Sequence, residues 1–302
     1  MLSAMAAREL QVLARGLSFL EAPRWHEGRL WVSDFYTHRV LRFAPDGTAE
    51  TVVEVPGQPS GLGWLPDGRL LIASMRDRRL LRLDPAGLAL HADLHDLASW
   101  HLNDLVVDTR GRAYVGNFGF DLMAAADPAP ANLVRVDPDG TATVAAEHML
   151  FPNGSVITPD GRTLIVAETV GQRLTAFDIA PDGSLVNRRV WAAFGEPPTA
   201  PDFATAFTQV HVAPDGICLD AEGCVWFADA FGQRAVRVRE GGEIVDEVST
   251  GQLGCFACML GGDDGTTLFL CCAPTFVEHE ASANHRAQLL SCRVEVPHAG
   301  LP

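Results

Sequence analysis

Short apolar runs, each preceded by a turn glycine, recur along this 302-residue chain, and apolar positions almost nowhere fall at helical spacing. Six runs share one form: GRLWVSD from Gly28, GRLLIAS from Gly68, GRAYVGN from Gly111, GRTLIVAE from Gly161, GCVWFAD from Gly223 and GTTLFLCC from Gly265. After each comes a second strand-like run, usually alternating and rich in Arg, as in HRVLRFAPDG and QRAVRVREGG. A continuous apolar run bounded by turn signals reads as a strand buried on both faces, and alternation as a strand with one wet face. The repeat is a unit of about 40 residues with tolerated insertions. Strands and tight turns at that period predict an all-β fold, a six-bladed β-propeller with one blade per copy. The leading segment RELQVLARG, residues 8–16, is expected to pair as the outer strand of the last blade. That pairing closes the ring and removes an open sheet edge. Residues 1–302 are expected to form a single propeller domain.

Aligning the copies on the turn glycine gives six inner strands that begin at Glu21, Ser60, Asn103, Asn153, Asp215 and Ala257. Five of these six carry a side-chain oxygen. The triplet Pro-Asp-Gly occurs six times, and five copies fall where a turn is wanted. The sixth, at 214–216, opens an apolar run whose turn is already supplied by Asp220-Ala221-Glu222-Gly223. Asp215 is therefore a strand entry. In a propeller, equivalent inner-strand positions converge at one end of the axis, so Glu21, Asn153 and Asp215 are expected to face a shared centre. Two carboxylates and an amide carbonyl make a hard oxygen site suited to Ca²⁺, Mg²⁺ or Mn²⁺. Loop capping by Asp and Asn accounts for one or two such residues, and poorly for five in one register.

Composition adds exclusions. Hydrophobic residues at 47% and charged residues at 20% are ordinary for a soluble domain. A net charge of −15 argues against nucleic acid or an anionic membrane as partner and leaves a small molecule. No stretch approaches the ~18 apolar residues of a membrane span, and Arg8 and Glu9 interrupt the opening segment. A cytoplasmic location is the expectation. Seven cysteines cluster late, and Cys255-Phe-Ala-Cys258 has zinc-ligand or redox spacing. A second such pair is missing, so the thiols read as small hydrophobes inside strands. Segment 196–211, EPPTAPDFATAFTQVH, reads as an irregular loop from its prolines and leads into Asp215. Whether it covers the channel mouth is left open.

The stretches LEAPRWHEGRLWVSD, LNDLVVDTRGRAYVGN, FPNGSVITPDGRTLIVAE and PDGICLDAEGCVWFAD, in that order, resemble the senescence marker protein/gluconolactonase family, also called regucalcin-like. The resemblance implies a six-bladed propeller with one divalent ion on its axis and a metal-dependent lactonase activity. It implies metal ligands at Glu21, Asn153 and Asp215, and substrate contacts at Asn103 and, more loosely, Asp121. Calcium is the first choice of ion, with Zn²⁺, Mn²⁺, Mg²⁺ and Fe²⁺ as alternatives. Sugar-lactone members resemble Arg-x-Asn-Asp where this chain has His101-Leu102-Asn103-Asp104. His101 beside Trp100, with Phe118 and Phe120 following, suggests a less polar pocket. An ion in the cup polarises a lactone carbonyl and makes a water beside it more acidic. Asp215 is the general-base candidate, and His101 or Asp121 is a candidate for orienting substrate. No G-x-S-x-G nucleophile motif occurs. Phosphoester hydrolysis on the same cup, a non-enzymatic metal-binding propeller and an interaction scaffold are the alternatives.

Overall fold

The computed structural model describes residues 8–300. It contains six four-stranded antiparallel sheets whose inner strands meet in sequence order around an axis, the sixth against the first. The inner strands are Leu20–His26, Pro59–Trp64, Leu102–Val107, Pro152–Ile157, Pro214–Leu219 and Gly254–Gly261. This is the six-bladed β-propeller that the repeat predicts. The N-terminal strand Gln11–Leu17 pairs antiparallel with Ala287–Arg293, so the first strand of the chain completes the last blade.

Burial follows the two sequence patterns. The second strands, such as Leu70–Ser74, Ala113–Asn117 and Val225–Asp229, are buried throughout. Each lies between two strands of its own sheet and between neighbouring blades, so both faces exclude water. Outermost strands, such as Ala49–Glu54, are largely exposed. The turn glycine of every copy sits in the left-handed region, with φ between +70° and +84°. A side chain there is strained, which is why glycine recurs at these hairpins.

Among the described residues two short α-helices, Phe203–Thr208 and Glu278–Asn284, and one 3-10 turn, Phe35–Thr37, interrupt the all-strand pattern. The first lies in the segment expected to be irregular. Asp202 caps it, its carboxylate accepting from the backbone N–H of Thr205 at 2.9 Å, so one turn forms despite the flanking prolines. Among the described residues no helix is long and apolar enough to cross a membrane.

Candidate active site

Each inner strand loses register with its neighbour soon after it enters the sheet. The breaks fall between Glu21 and Arg24, Pro59 and Leu62, Leu102 and Leu105, Pro152 and Ser155, Pro214 and Ile217, and Cys255 and Ala257. A bulge leaves residues unpaired and re-aims their side chains. Glu21, Asn103, Asn153 and Asp215, from blades one, three, four and five, thereby line one cavity. Ser60 is buried but lies outside that lining. In blade six Phe256 faces the cavity in place of the expected Ala257, because the break comes one residue earlier in the alignment. Glycine lets the strands converge: a Cβ on Gly154 would lie 2.5 Å from the Ile217 nitrogen, and one on Gly216 2.5 Å from the Ala257 Cβ.

The three blades that bear the expected metal ligands share a device absent from the other three. Their second strands end in Asp34, Glu168 and Asp229, where the others end in Ser74, Asn117 and Ala273. Asp34 accepts from the backbone N–H groups of Ser18 and Phe19, Glu168 from that of Leu150, and Asp229 from that of Ala213. Each acid therefore anchors the chain two or three residues before Glu21, Asn153 or Asp215. Arg39, Arg173 and Arg234 pair with the same acids. These anchors were visible in the repeats as the endings VSD, VAE and FAD, a signal that the alignment on glycines passed over.

The donor chemistry fits a divalent cation. Burial holds the Glu21 and Asp215 carboxyls well above their ordinary pKa. The negative charge of Asp104 raises both further, and Asp215 also raises Glu21. The Ala22 amide opposes the rise at Glu21, and the Asn153 side chain and Gly216 amide oppose it at Asp215. Asp215 Oδ1 is buried and has no hydrogen-bond partner, which is costly unless something else pairs with it. Asp104 is buried too, but Arg24 donates to its carboxylate at 2.6 Å. With all three carboxylates ionised, the one guanidinium would leave two negative charges unbalanced at the axis, the charge that one divalent ion carries, and without an ion burial favours protons there instead. Among the described residues no trio drawn from His, Cys, Asp and Glu stands at metal-binding spacing. The candidate set is two carboxylates completed by an amide.

The amide orientation is held by Thr169. Its hydroxyl donates to the Pro214 carbonyl at 2.8 Å and accepts from Asn153 Nδ2 at 3.1 Å, so Asn153 Oδ1 is left for a ligand. Asn103 Nδ2 donates to the Pro152 carbonyl at 3.3 Å. Arg24, Asp104 and Thr169 are site residues that the sequence reading missed.

His101 and Asp121 do not line the cavity. The His101 ring stacks on Trp100 at 5.1 Å and lies 6.2 Å from Phe118, a lining residue. Burial, then Arg76, hold its pKa below the ordinary histidine value. Asp121 accepts from the Ala124 N–H at 3.0 Å and shapes its own loop. The seven cysteines are buried free thiols, with Cys218 and Cys258 sulfurs 4.0 Å apart. A larger cavity of about 420 Å³ opens near Trp191, Leu219 and His298. It holds none of the expected site residues, and its Asp220 and Arg189 are paired with Arg237 and Asp178.

Comparison with known proteins finds relatives along most of the chain. The chain is 24% identical over 253 residues to a 6-deoxy-6-sulfogluconolactonase from Pseudomonas putida, covering 83% of this chain and 81% of the relative. It is 28% identical over 210 residues to a pentonolactonase from Haloferax volcanii, covering 69% of this chain and just 65% of that protein. The fold superposes on a structure described as a calcium-binding protein, regucalcin, from Agrobacterium tumefaciens, with a TM-score of 0.78 and 22% identity, covering 98% and 97% of the two chains. Residues 19–273 match the profile of the SMP-30/Gluconolactonase/LRE-like region, and the chain belongs to that family, among whose members are lactonases.

Proposed function

We propose that this chain hydrolyses a small lactone at the axial cavity, with Glu21, Asn153 and Asp215 holding one divalent ion. The observation that carries the reading is the buried, unpartnered Asp215 Oδ1 beside a second buried carboxylate, in a cavity whose other lining residues are mostly apolar. Calcium is the first choice of ion, since all donors are oxygen and none is thiolate or imidazole. When bound, the ion supplies Lewis acidity that polarises the lactone carbonyl and acidifies a neighbouring water.

The chain's own groups do the rest. One Asn103 N–H is engaged with Pro152 and the amide keeps a second donor for a lactone oxygen. Asp215 would accept the proton of the attacking water at the carboxylate oxygen that does not hold the ion, and return it to the alkoxide as the ring C–O bond breaks. The apolar walls exclude bulk water, so charge developing on the substrate meets fixed dipoles in a low-dielectric site. His101 and Asp121 act from behind this wall, by fixing Phe118 and its loop, rather than by touching substrate.

The test is acid release from a lactone panel, with a phosphotriester and a phosphodiester as comparison, after metal stripping and restoration of single ions. Lactone turnover restored by one metal equivalent, and lost together with the metal in Asp215→Ala, is the expected result. Metal-independent turnover, or turnover only of phosphoesters, overturns the assignment.

A further inference from the structure

The mouth of this cavity is apolar well beyond what enclosing a metal requires, and much of it comes from outside the six-fold repeat. Phe207 lies on the short helix of the 196–211 insert and Met123 in the loop that follows the second strand of blade three, while Phe231, in the turn after that of blade five, holds the repeat position that Tyr36 and Val170 hold in blades one and four. Phe231 and Met123 are 41% and 43% exposed. The other strongly exposed large apolar residues, such as Leu90 and Val190, sit singly on outermost strands. Among the described residues, Phe231 and Met123 are the two that share one cavity lining, together with Phe118, Phe151 and Phe276. A gathering of exposed and half-buried apolar side chains around a recessed polar floor is the form of a binding site for an apolar group.

The wall is fixed. Gln172, buried in blade four, donates to the carbonyls of Glu196 at 2.6 Å and Gln209 at 3.0 Å. Its Oε1 accepts from the N–H groups of His211 at 2.7 Å and Val212 at 3.2 Å. One side chain thus ties both ends of the insert. Asp127, from the blade-three loop, accepts from the Phe203 N–H at 3.2 Å and ties its middle. The Phe207 ring lies 6.4 Å from Phe120 on one side and 6.4 Å from Phe231 on the other.

The same wall offers little to hydroxyl groups. No Lys, Arg or His lines the cavity. The Tyr36 hydroxyl is committed to the Phe276 carbonyl at 2.7 Å, and that of Thr169 to Pro214. The enclosed part measures about 80 Å³. An apolar cavity of about 150 Å³ accommodates benzene, so this one takes only part of a six-membered ring, and the rest of a substrate, its substituent included, must lie along the open mouth.

Resting on the lactonase reading, we infer that the preferred substrate is a lactone bearing an aryl or bulky alkyl substituent, seated against Phe207, Phe231 and Met123, and that polyhydroxylated lactones are disfavoured. The specificity determinant is the insert wall and not His101. Sugar hydroxyls placed there give up water without gaining partners, whereas an apolar group in such a pocket typically gains about 10-fold or more in kcat/KM.

The metal-loaded full-length protein is assayed on δ-valerolactone, a phenyl-substituted δ-valerolactone and glucono-δ-lactone. Calorimetry measures binding of the matching lactams, which resist hydrolysis. The phenyl lactone is expected to exceed the gluconolactone in kcat/KM by about 10-fold or more. Phe207→Asn should cut the phenyl-to-unsubstituted ratio about 10-fold, mainly through KM, and Phe231→Ser, at a more exposed position, should move it the same way. A gluconolactone preference overturns the inference and leaves the lactonase reading standing, as does a ratio that responds to His101→Arg but to neither wall variant. If no lactone turns over, the lactams decide. Tighter binding of the phenyl lactam, weakened by Phe207→Asn, upholds the pocket and sinks the lactonase reading, while equal binding of all three sinks the inference.

Discussion

Replacing Arg24 with methionine should be among the most damaging single changes in the chain. The guanidinium is buried and donates to the Pro23 carbonyl at 2.9 Å, the Leu62 carbonyl at 3.1 Å, the Leu105 carbonyl at 2.7 Å and the Asp104 carboxylate at 2.6 Å. It thereby links three blades beneath the site. Methionine keeps most of the stem volume, so lost packing contributes little. What remains is a buried carboxylate without its counter-charge, which typically costs about 3–5 kcal/mol. Unpaired carbonyls add to that, against a total stability of about 5–15 kcal/mol for an ordinary domain. Urea unfolding of Arg24→Met, Asp104→Asn and the double variant measures the loss. The single Arg24 variant should lose about 3 kcal/mol or more. The double variant should lose less than the two singles summed, because a neutral amide needs no counter-charge. A loss below about 1 kcal/mol for Arg24→Met, or strict additivity, would refute the account of this pair.

Three further outcomes follow from the site. In metal-free protein the raised Glu21 and Asp215 carboxyls bind protons that the unfolded chain, titrating near 4.5 and 3.8, has released. Their contribution to stability therefore falls as pH rises from about 4 through neutrality. Burial-depressed histidines such as His101 act in the opposite sense, so the readout is the difference between wild type and Asp215→Asn in thermal melts at pH 5 and 7.5. The variant should lose less on going to the higher pH, and a metal ion, which only the wild type holds well, should abolish the wild type's extra loss. Thr169→Val frees the Asn153 amide to rotate and should weaken metal affinity about 10–100-fold, read by competition with a chelator; unchanged affinity removes Thr169 from that role. Replacing Cys255 and Cys258 with alanine should lower the melting temperature and leave metal content by elemental analysis as it was; loss of one equivalent would assign the ion to the thiols.

The division between sequence and tertiary structure runs through particular residues. Blade count, ring closure by residues 8–16 and the five oxygen-bearing strand entries were legible in one dimension, because each blade must solve the same burial problem with the same turn. The repeat therefore imposes a register that alignment recovers. Phe256 escaped that register, since a bulge shifts the residue that faces the axis without leaving a mark in composition. Arg24 reads in sequence as one charge in EAPRWHE. Only the closed ring sets it against Asp104, 80 positions later, where burial gives the pair its importance. The aromatic mouth is a further case. Phe231 keeps a repeat position, two residues past Asp229 as Tyr36 and Val170 are past Asp34 and Glu168, but Phe207, Met123 and Phe276 occupy unrelated positions in loops and insertions, and all become one wall because the loops at the site end of the ring are gathered over a single axis. The periodicity of strand burial was enough to read four of the six channel entries, Glu21, Asn103, Asn153 and Asp215, from sequence. Tertiary structure decided what surrounds them, because contacts between loops of different blades depend on closure and leave no periodic signal.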